Sequence, residues 1–128
     1  MATKVLSIVE TAYRATLEEQ DDTILWLNHM LKNNGLDVTL LLRSNAVNEA
    51  VKGQDASGLK FGDVPLKHAP ALDGDIADLI EKGVPVYYVK EDLEERGIPE
   101  GRLIDGLKSV SRKELPGMLD GFELVWHW

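Results

Sequence analysis

The chain has 128 residues, 22 acidic against 14 basic side chains, a net charge of −8, and no cysteine. One domain is the expectation at that length, with enough chain to bury a self-sufficient core. The acidic balance excludes a general nucleic-acid or anionic-membrane binder, and the missing thiols exclude disulfides, thiolate metal centres and cysteine nucleophiles.

The first apolar run, Val5-Leu6-Ser7-Ile8-Val9, follows Met1-Ala2-Thr3-Lys4 directly. It is shorter than a signal-peptide core and far shorter than a bilayer span, so a cytoplasmic protein is expected. Without strict alternation, the run suits a strand buried on both faces. Thr16 and Glu19 have capping-box spacing. They open a helix whose Leu17, Ile24, Leu27 and Leu31 share a face, and Asn33-Asn34-Gly35 stops it. Val38 to Leu42 is a second strand, and Ser44 caps a short helical stretch, Asn45 to Lys52. Residues 53–74 carry glycines and prolines without a sustained apolar period, and predict an irregular loop or lid. A helix over Asp75 to Lys82 leads into a third strand, Val84 to Val89. Asp92 and Glu95 resemble another capping box, before a short helix ending at Gly97. A weak fourth strand lies near Lys108 to Val110. Ser111 and Glu114 form a third box, and Pro116 either kinks the helix behind it or delays its start. Phe122 to Trp128 alternates as a terminal strand. The pattern predicts a single domain over residues 1–128: an open, mostly parallel five-stranded α/β sheet, flavodoxin-like, with helices on both faces.

Such sheets bind ligands outside the carboxyl ends of their strands, where the strand order reverses. With the order 2-1-3-4-5, the crevice lies between the first and third strands. Its candidate residues are then Glu10, Thr11, Tyr13 and Arg14, with Lys90, Glu91 and Asp92. Arg14 and Lys90 would neutralise a small anion; on the plainer reading these are solvated loop charges and a cap at Asp92. The turn Glu10-Thr11-Ala12-Tyr13-Arg14 has no glycine, which disfavours a dinucleotide or phosphate cradle, and no cofactor is expected. His29, His68 and His127 lack ligand spacing, so no metal site is expected. Phe122, Leu124, Trp126 and Trp128 would share one strand face, either closing the core or sealing a subunit contact.

Three stretches carry a family resemblance. They are Gly83-Val84-Pro85-Val86-Tyr87-Tyr88-Val89, Leu93-Glu94-Glu95-Arg96-Gly97-Ile98, and Leu103-Ile104-Asp105-Gly106-Leu107-Lys108-Ser109-Val110. Together they resemble the DsrE/DsrF/TusD family of small sulfur-relay proteins. The first strand, the long amphipathic helix ending in Asn34-Gly35-Leu36-Asp37-Val38 and the second strand fit the same pattern. The resemblance implies a DsrE-like fold. It also implies that the family's persulfide-carrying cysteine falls at Val89, which has no nucleophile, so the chain alone cannot perform the family's sulfur transfer. A cysteine placed at Val89 is expected at the crevice mouth.

The leading expectation is a non-catalytic, DsrE-like binding or scaffold subunit. It would be a trimeric or hexameric homo-oligomer, or a hetero-oligomer with DsrE-like subunits, with a small ligand in its crevice and no nucleic-acid or membrane partner. The alternatives are a thiol-free enzyme using carboxylate, lysine and tyrosine groups (Glu10, Glu91 or Asp92 with Tyr13 or Lys90), and a nucleotide- or flavin-binding domain.

Overall fold

A computed structural model describes residues 3–13 and 22–128. Strand β1 (Lys4–Val9) precedes helix α1 (Thr23–Asn33) and strand β2 (Asp37–Leu42). A 3-10 segment, Ser44–Ala50, leads to a small antiparallel hairpin of β3 (Lys60–Phe61) and β4 (Val64–Pro65). Helix α2 (Leu72–Glu81), strand β5 (Val86–Val89), helix α3 (Lys90–Glu95) and strand β6 (Lys108–Val110) follow. A last 3-10 turn, Arg112–Glu114, runs into α4 (Leu115–Leu119) before the final strand, β7 (Leu124–His127).

The main sheet is five-stranded and parallel, in the order β6-β5-β2-β1-β7. This corrects the expected order: β1 lies between β2 and β7, not beside the third main strand, β5. Three successive crossovers step in one direction, and the right-handed rule stacks their helices on one face. The larger core forms there. Ile24 and Leu25 of α1, Ala46 and Val47, Ile76 and Leu79 of α2, and Leu93 of α3 pack with Val38, Leu40 and Leu42. Among the described residues, only the return crossover from β6 to β7 uses the other face. There Leu115 and Met118 pack with Phe122 on Leu6, Ile8, Leu41, Val89 and Val110. Both faces are therefore covered, unequally, and β1 and β2 at the centre read as continuous apolar runs because neither face meets water.

Several local expectations shift. The Thr16–Glu19 box lies outside the described residues. The described cap of α1 is Asp22, whose Oδ1 accepts from the amides of Ile24 at 2.9 Å and Leu25 at 3.2 Å. Helix α2 begins at Leu72 rather than Asp75, because Leu72 is itself a core residue. Ser44 is the first residue of its 3-10 segment, with φ of 52°, and caps nothing through its side chain. The Ser111–Glu114 box forms as expected. Pro116 sits in the first turn of α4, where a missing N–H costs little, so that helix starts late instead of kinking. Residues 53–74 are irregular except for the hairpin and the start of α2. No helix among the described residues is long and apolar enough to cross a membrane.

Candidate functional site

The carboxyl ends of β1, β2, β5 and β6 open into a polar cleft of about 410 Å³. Glu10 enters it just beyond β1, Arg43 and Ser44 beyond β2, Asp92, Glu95 and Arg96 from α3 and the turn after it, and Arg112 beyond β6. Val89, the last residue of β5, forms part of the floor.

Asp92 organises one wall. Its carboxylate accepts from the Ser44 amide at 2.7 Å and from Arg112 Nη2 at 2.5 Å. Burial works against its ionisation, but the Ser44 amide and the charges of Arg112 and Arg96 outweigh it, and hold the carboxyl below its ordinary range. Asp92 is thus no helix cap. It sits inside the first turn of α3, whose N-cap is Val89, and uses its charge to tie β2, α3 and the loop after β6 together. Arg112 also reaches Glu95 at 2.8 Å. Arg96 donates to Asn45 Oδ1, Ser44 Oγ and the carbonyl of Asp92. Arg43 is the least committed of the three guanidinium groups, with only a loose approach to Glu10 at 3.9 Å. Glu10 gives its other oxygen to His127 Nε2 at 2.5 Å.

Of the expected crevice residues, Glu10 and Asp92 line this cleft. Glu91 supports it from outside, accepting the Arg112 amide with both oxygens at 3.1 Å. Thr11 is exposed on the turn after Glu10, and Lys90 is exposed on the first turn of α3 without lining the cleft. Arg14 lies outside the described residues. The expected Glu10–Lys90 pairing gives way to Glu10 with Arg43 and His127, because β1 sits beside β2 and β7.

Tyr13 belongs to a neighbouring hollow of about 340 Å³ with Gln54, Pro70 and Leu72. Its backbone adopts φ of 58°, in the left-handed region. The Tyr13 amide donates to Glu49 Oε1 at 3.0 Å, and its hydroxyl donates to Gln54 Oε1 at 3.0 Å. Glu49 is wholly buried. Burial, with the nearby charges of Asp22 and Asp75, pushes its carboxyl up to about 9, so at neutral pH it is protonated and its hydroxyl serves Asp22. Among the described residues no group of three or more acidic or histidine side chains is placed to hold a metal ion.

Val89 is 1% exposed and packs in the smaller core with Leu6, Ile8, Leu41 and Val110. It closes the floor, where the sequence had suggested the mouth. A Val89→Cys thiol should therefore react with a maleimide about tenfold or more slowly in the native protein than in denaturant, because attack requires a local opening. Equal rates would place the position in open solvent.

At the far edge, Leu124, Trp126 and Trp128 share a face of β7, and the two indoles meet edge to face at 6.4 Å. Trp128 Nε1 donates to Ser7 Oγ at 2.9 Å and seals the larger core. Phe122 departs from this set. It precedes β7, packs on the smaller core and lies under Lys4 Nζ.

Arg43, Ser44, Glu95, Arg96, Arg112 and Glu49 are not among the site residues expected from the sequence, where Ser44 and Glu95 appear only as capping residues and Arg96 only within a family-resemblance stretch. A signal existed for two of them. Arg43 follows an apolar strand directly, and Glu49 is the one charge within Ala46-Val47-Asn48-Glu49-Ala50-Val51.

No family model and no curated protein matches the chain. Solved structures do. The YchN protein from E. coli is 23% identical over 100% of both chains, with a TM-score of 0.70. BT1422 from Bacteroides thetaiotaomicron, a conserved protein of unknown function, is 13% identical over 98% of this chain and 95% of its own, with a TM-score of 0.69. MTH1491 from Methanobacterium thermoautotrophicum, also of unknown function, is 18% identical over 98% and 99%, with a TM-score of 0.59. The likeness establishes a shared fold, the single-domain parallel α/β sheet of the flavodoxin-like, DsrE-like kind.

Proposed function

We propose that this protein is a cytoplasmic, oligomeric binding subunit of DsrE-like type that holds a small anion in the strand-end cleft and carries no sulfur on its own chain. One observation carries the reading: the cleft gathers Arg43, Arg96 and Arg112 around a floor at Val89 that has no nucleophile. Planar guanidinium groups suit oxyanions such as sulfate, thiosulfate or phosphate. Arg96 and Arg112 are already oriented by Ser44, Asn45, Asp92 and Glu95, so little freedom is lost when a ligand arrives. Arg43 has the spare capacity, and Ser44 Oγ, which accepts from Arg96, keeps its own hydrogen to donate. The oligomeric half rests on Leu124 and Val125, which are exposed on an edge strand.

Calorimetric titration of the purified protein with sulfate, thiosulfate and phosphate tests the reading. Saturable binding that weakens about tenfold in Arg43→Ala, with the melting temperature unchanged, is expected; this corresponds to losing about 1.4 kcal/mol of binding energy. Equal affinity in Arg43→Ala, or no heat at millimolar anion, would remove the cleft as the binding site.

A further inference from the structure

The strand-end cleft is balanced in charge. Arg43, Arg96 and Arg112 line it together with Glu10, Asp92 and Glu95, three cations against three carboxylates. A bare anion therefore gains no net attraction from the lining, and the chain's charge of −8 opposes its approach.

The six groups are not equally engaged. Arg112 is taken by Asp92 and by Glu95, the latter at 2.8 Å. Arg96 commits Nε, Nη1 and Nη2 to Asn45, Ser44 and the Asp92 carbonyl. Arg43 and Glu10 are left as a loose pair. Arg43 Nε stands 3.9 Å from Glu10 Oε1, beyond hydrogen-bond range, and both side chains are partly exposed. His127 Nε2 holds the other Glu10 oxygen at 2.5 Å, so the carboxylate is fixed while Oε1 stays unbonded. The sheet sets the spacing of the pair: Glu10 and Arg43 directly follow Val9 and Leu42, the last paired residues of β1 and β2. Ser44 adds a donor beside them. It holds φ of 52°, a left-handed conformation that strains a serine and that glycine adopts freely, and it keeps a hydroxyl in the cleft.

We propose that the cleft takes a small zwitterion, an amino acid or aminosulfonate, which parts the Arg43–Glu10 pair and bridges it. The ligand's acid lies on Arg43 and the Ser44 hydroxyl, and its ammonium lies on Glu10 Oε1. Each charge of the pair is then matched by a charge-assisted hydrogen bond shorter than the contact it replaces. A bare anion satisfies Arg43 alone and meets the Glu10 carboxylate as a like charge, which discriminates against it. Glu10 is thereby the specificity-determining residue, and His127 its positioning residue. The inference names the ligand class of the proposed anion cleft and rests on that reading.

Taurine and ethanesulfonate carry the same acid group, and only taurine carries the ammonium. In calorimetric titrations at neutral pH, the parent should bind taurine about tenfold more tightly than ethanesulfonate. Glu10→Gln keeps the size of the side chain and removes its charge. It should weaken taurine about tenfold and tighten ethanesulfonate, with the melting temperature unchanged. Arg43→Ala should weaken both ligands. A parent that binds ethanesulfonate or sulfate as tightly as taurine overturns the zwitterion and leaves the anion cleft standing. So does a Glu10→Gln variant that keeps the parent's taurine affinity. Equal weakening of both ligands in Glu10→Gln makes Glu10 a structural support for Arg43 and overturns the zwitterion too. No heat from taurine, ethanesulfonate or sulfate up to millimolar concentration overturns the anion cleft with it.

Discussion

Glu49→Gln should stabilise the protein at neutral pH. The folded-state carboxyl titrates near 9, above its ordinary value of 4.5, so folding is disfavoured progressively as pH rises through that window. Below the window the group is protonated in folded and unfolded chains alike, and its ionisation contributes nothing. At pH 7 the accumulated penalty approaches about 3 kcal/mol, at roughly 1.4 kcal/mol per pH unit. A glutamine keeps both services: its carbonyl accepts from the Tyr13 amide, and its amide N–H replaces the hydroxyl directed at Asp22. The variant should gain about 2 kcal/mol at pH 7 and lose the parent's decline in stability between about pH 5 and 8. Glu49→Ala should instead be destabilised, because it leaves a cavity and an amide without an acceptor. Urea unfolding across that pH range measures all three proteins. A Glu49→Gln variant less stable than the parent at pH 7 would mean that the carboxylate is ionised and paired in the fold.

Asp92→Ala carries the second large effect, in the opposite direction. Asp92 is 7% exposed, and its loss strands the Ser44 amide and frees Arg112 from its nearest carboxylate. Removing the charged acceptor of these part-buried bonds is expected to cost about 2 kcal/mol; the half-exposed Arg112 keeps Glu95 and water, which limits the damage. The carboxyl is held below its ordinary range, so the stabilisation it gives is present at neutral pH and fades as acid protonates it in the fold. Asp92→Ala should therefore differ from the parent strongly at pH 7 and less near pH 3. A difference independent of pH would assign the effect to lost packing rather than to the ionised carboxylate.

These two carboxyl groups mark where the sequence was legible and where it was not. The apolar runs of β1 and β2, the Asn34-Gly35 stop and the Ser111–Glu114 box are local signals, and each appears where the residues place it. Strand order is not local: nothing in Val5 to Val9 states whether β2, β5 or β7 will lie beside it. That one unknown moved the site. With β1 between β2 and β7, Glu10 meets Arg43 and His127 instead of Lys90. Arg43, Arg96 and Arg112 are separated by up to 69 positions and converge only through the sheet. Asp92 has the spacing of a capping residue, yet the Ser44 amide and Arg112 compete for its carboxylate and win. Phe122 alternates with Leu124 and Trp126 on paper, but it falls before β7 begins and so packs on the opposite face. Glu49 is one charge in a short helical stretch, and its burial becomes visible only once α2 and α3 pack against the Ser44–Ala50 segment.

The anion-binding cleft is tested most directly by a titration of isotope-labelled protein with thiosulfate, following backbone amide and arginine side-chain resonances. The account predicts saturable shifts concentrated at Arg43, Ser44 and Arg112, around the Val89 floor, with little movement at Gly53 to Ala56 or along β7. Shifts centred on those other segments, or none up to millimolar anion, would contradict it.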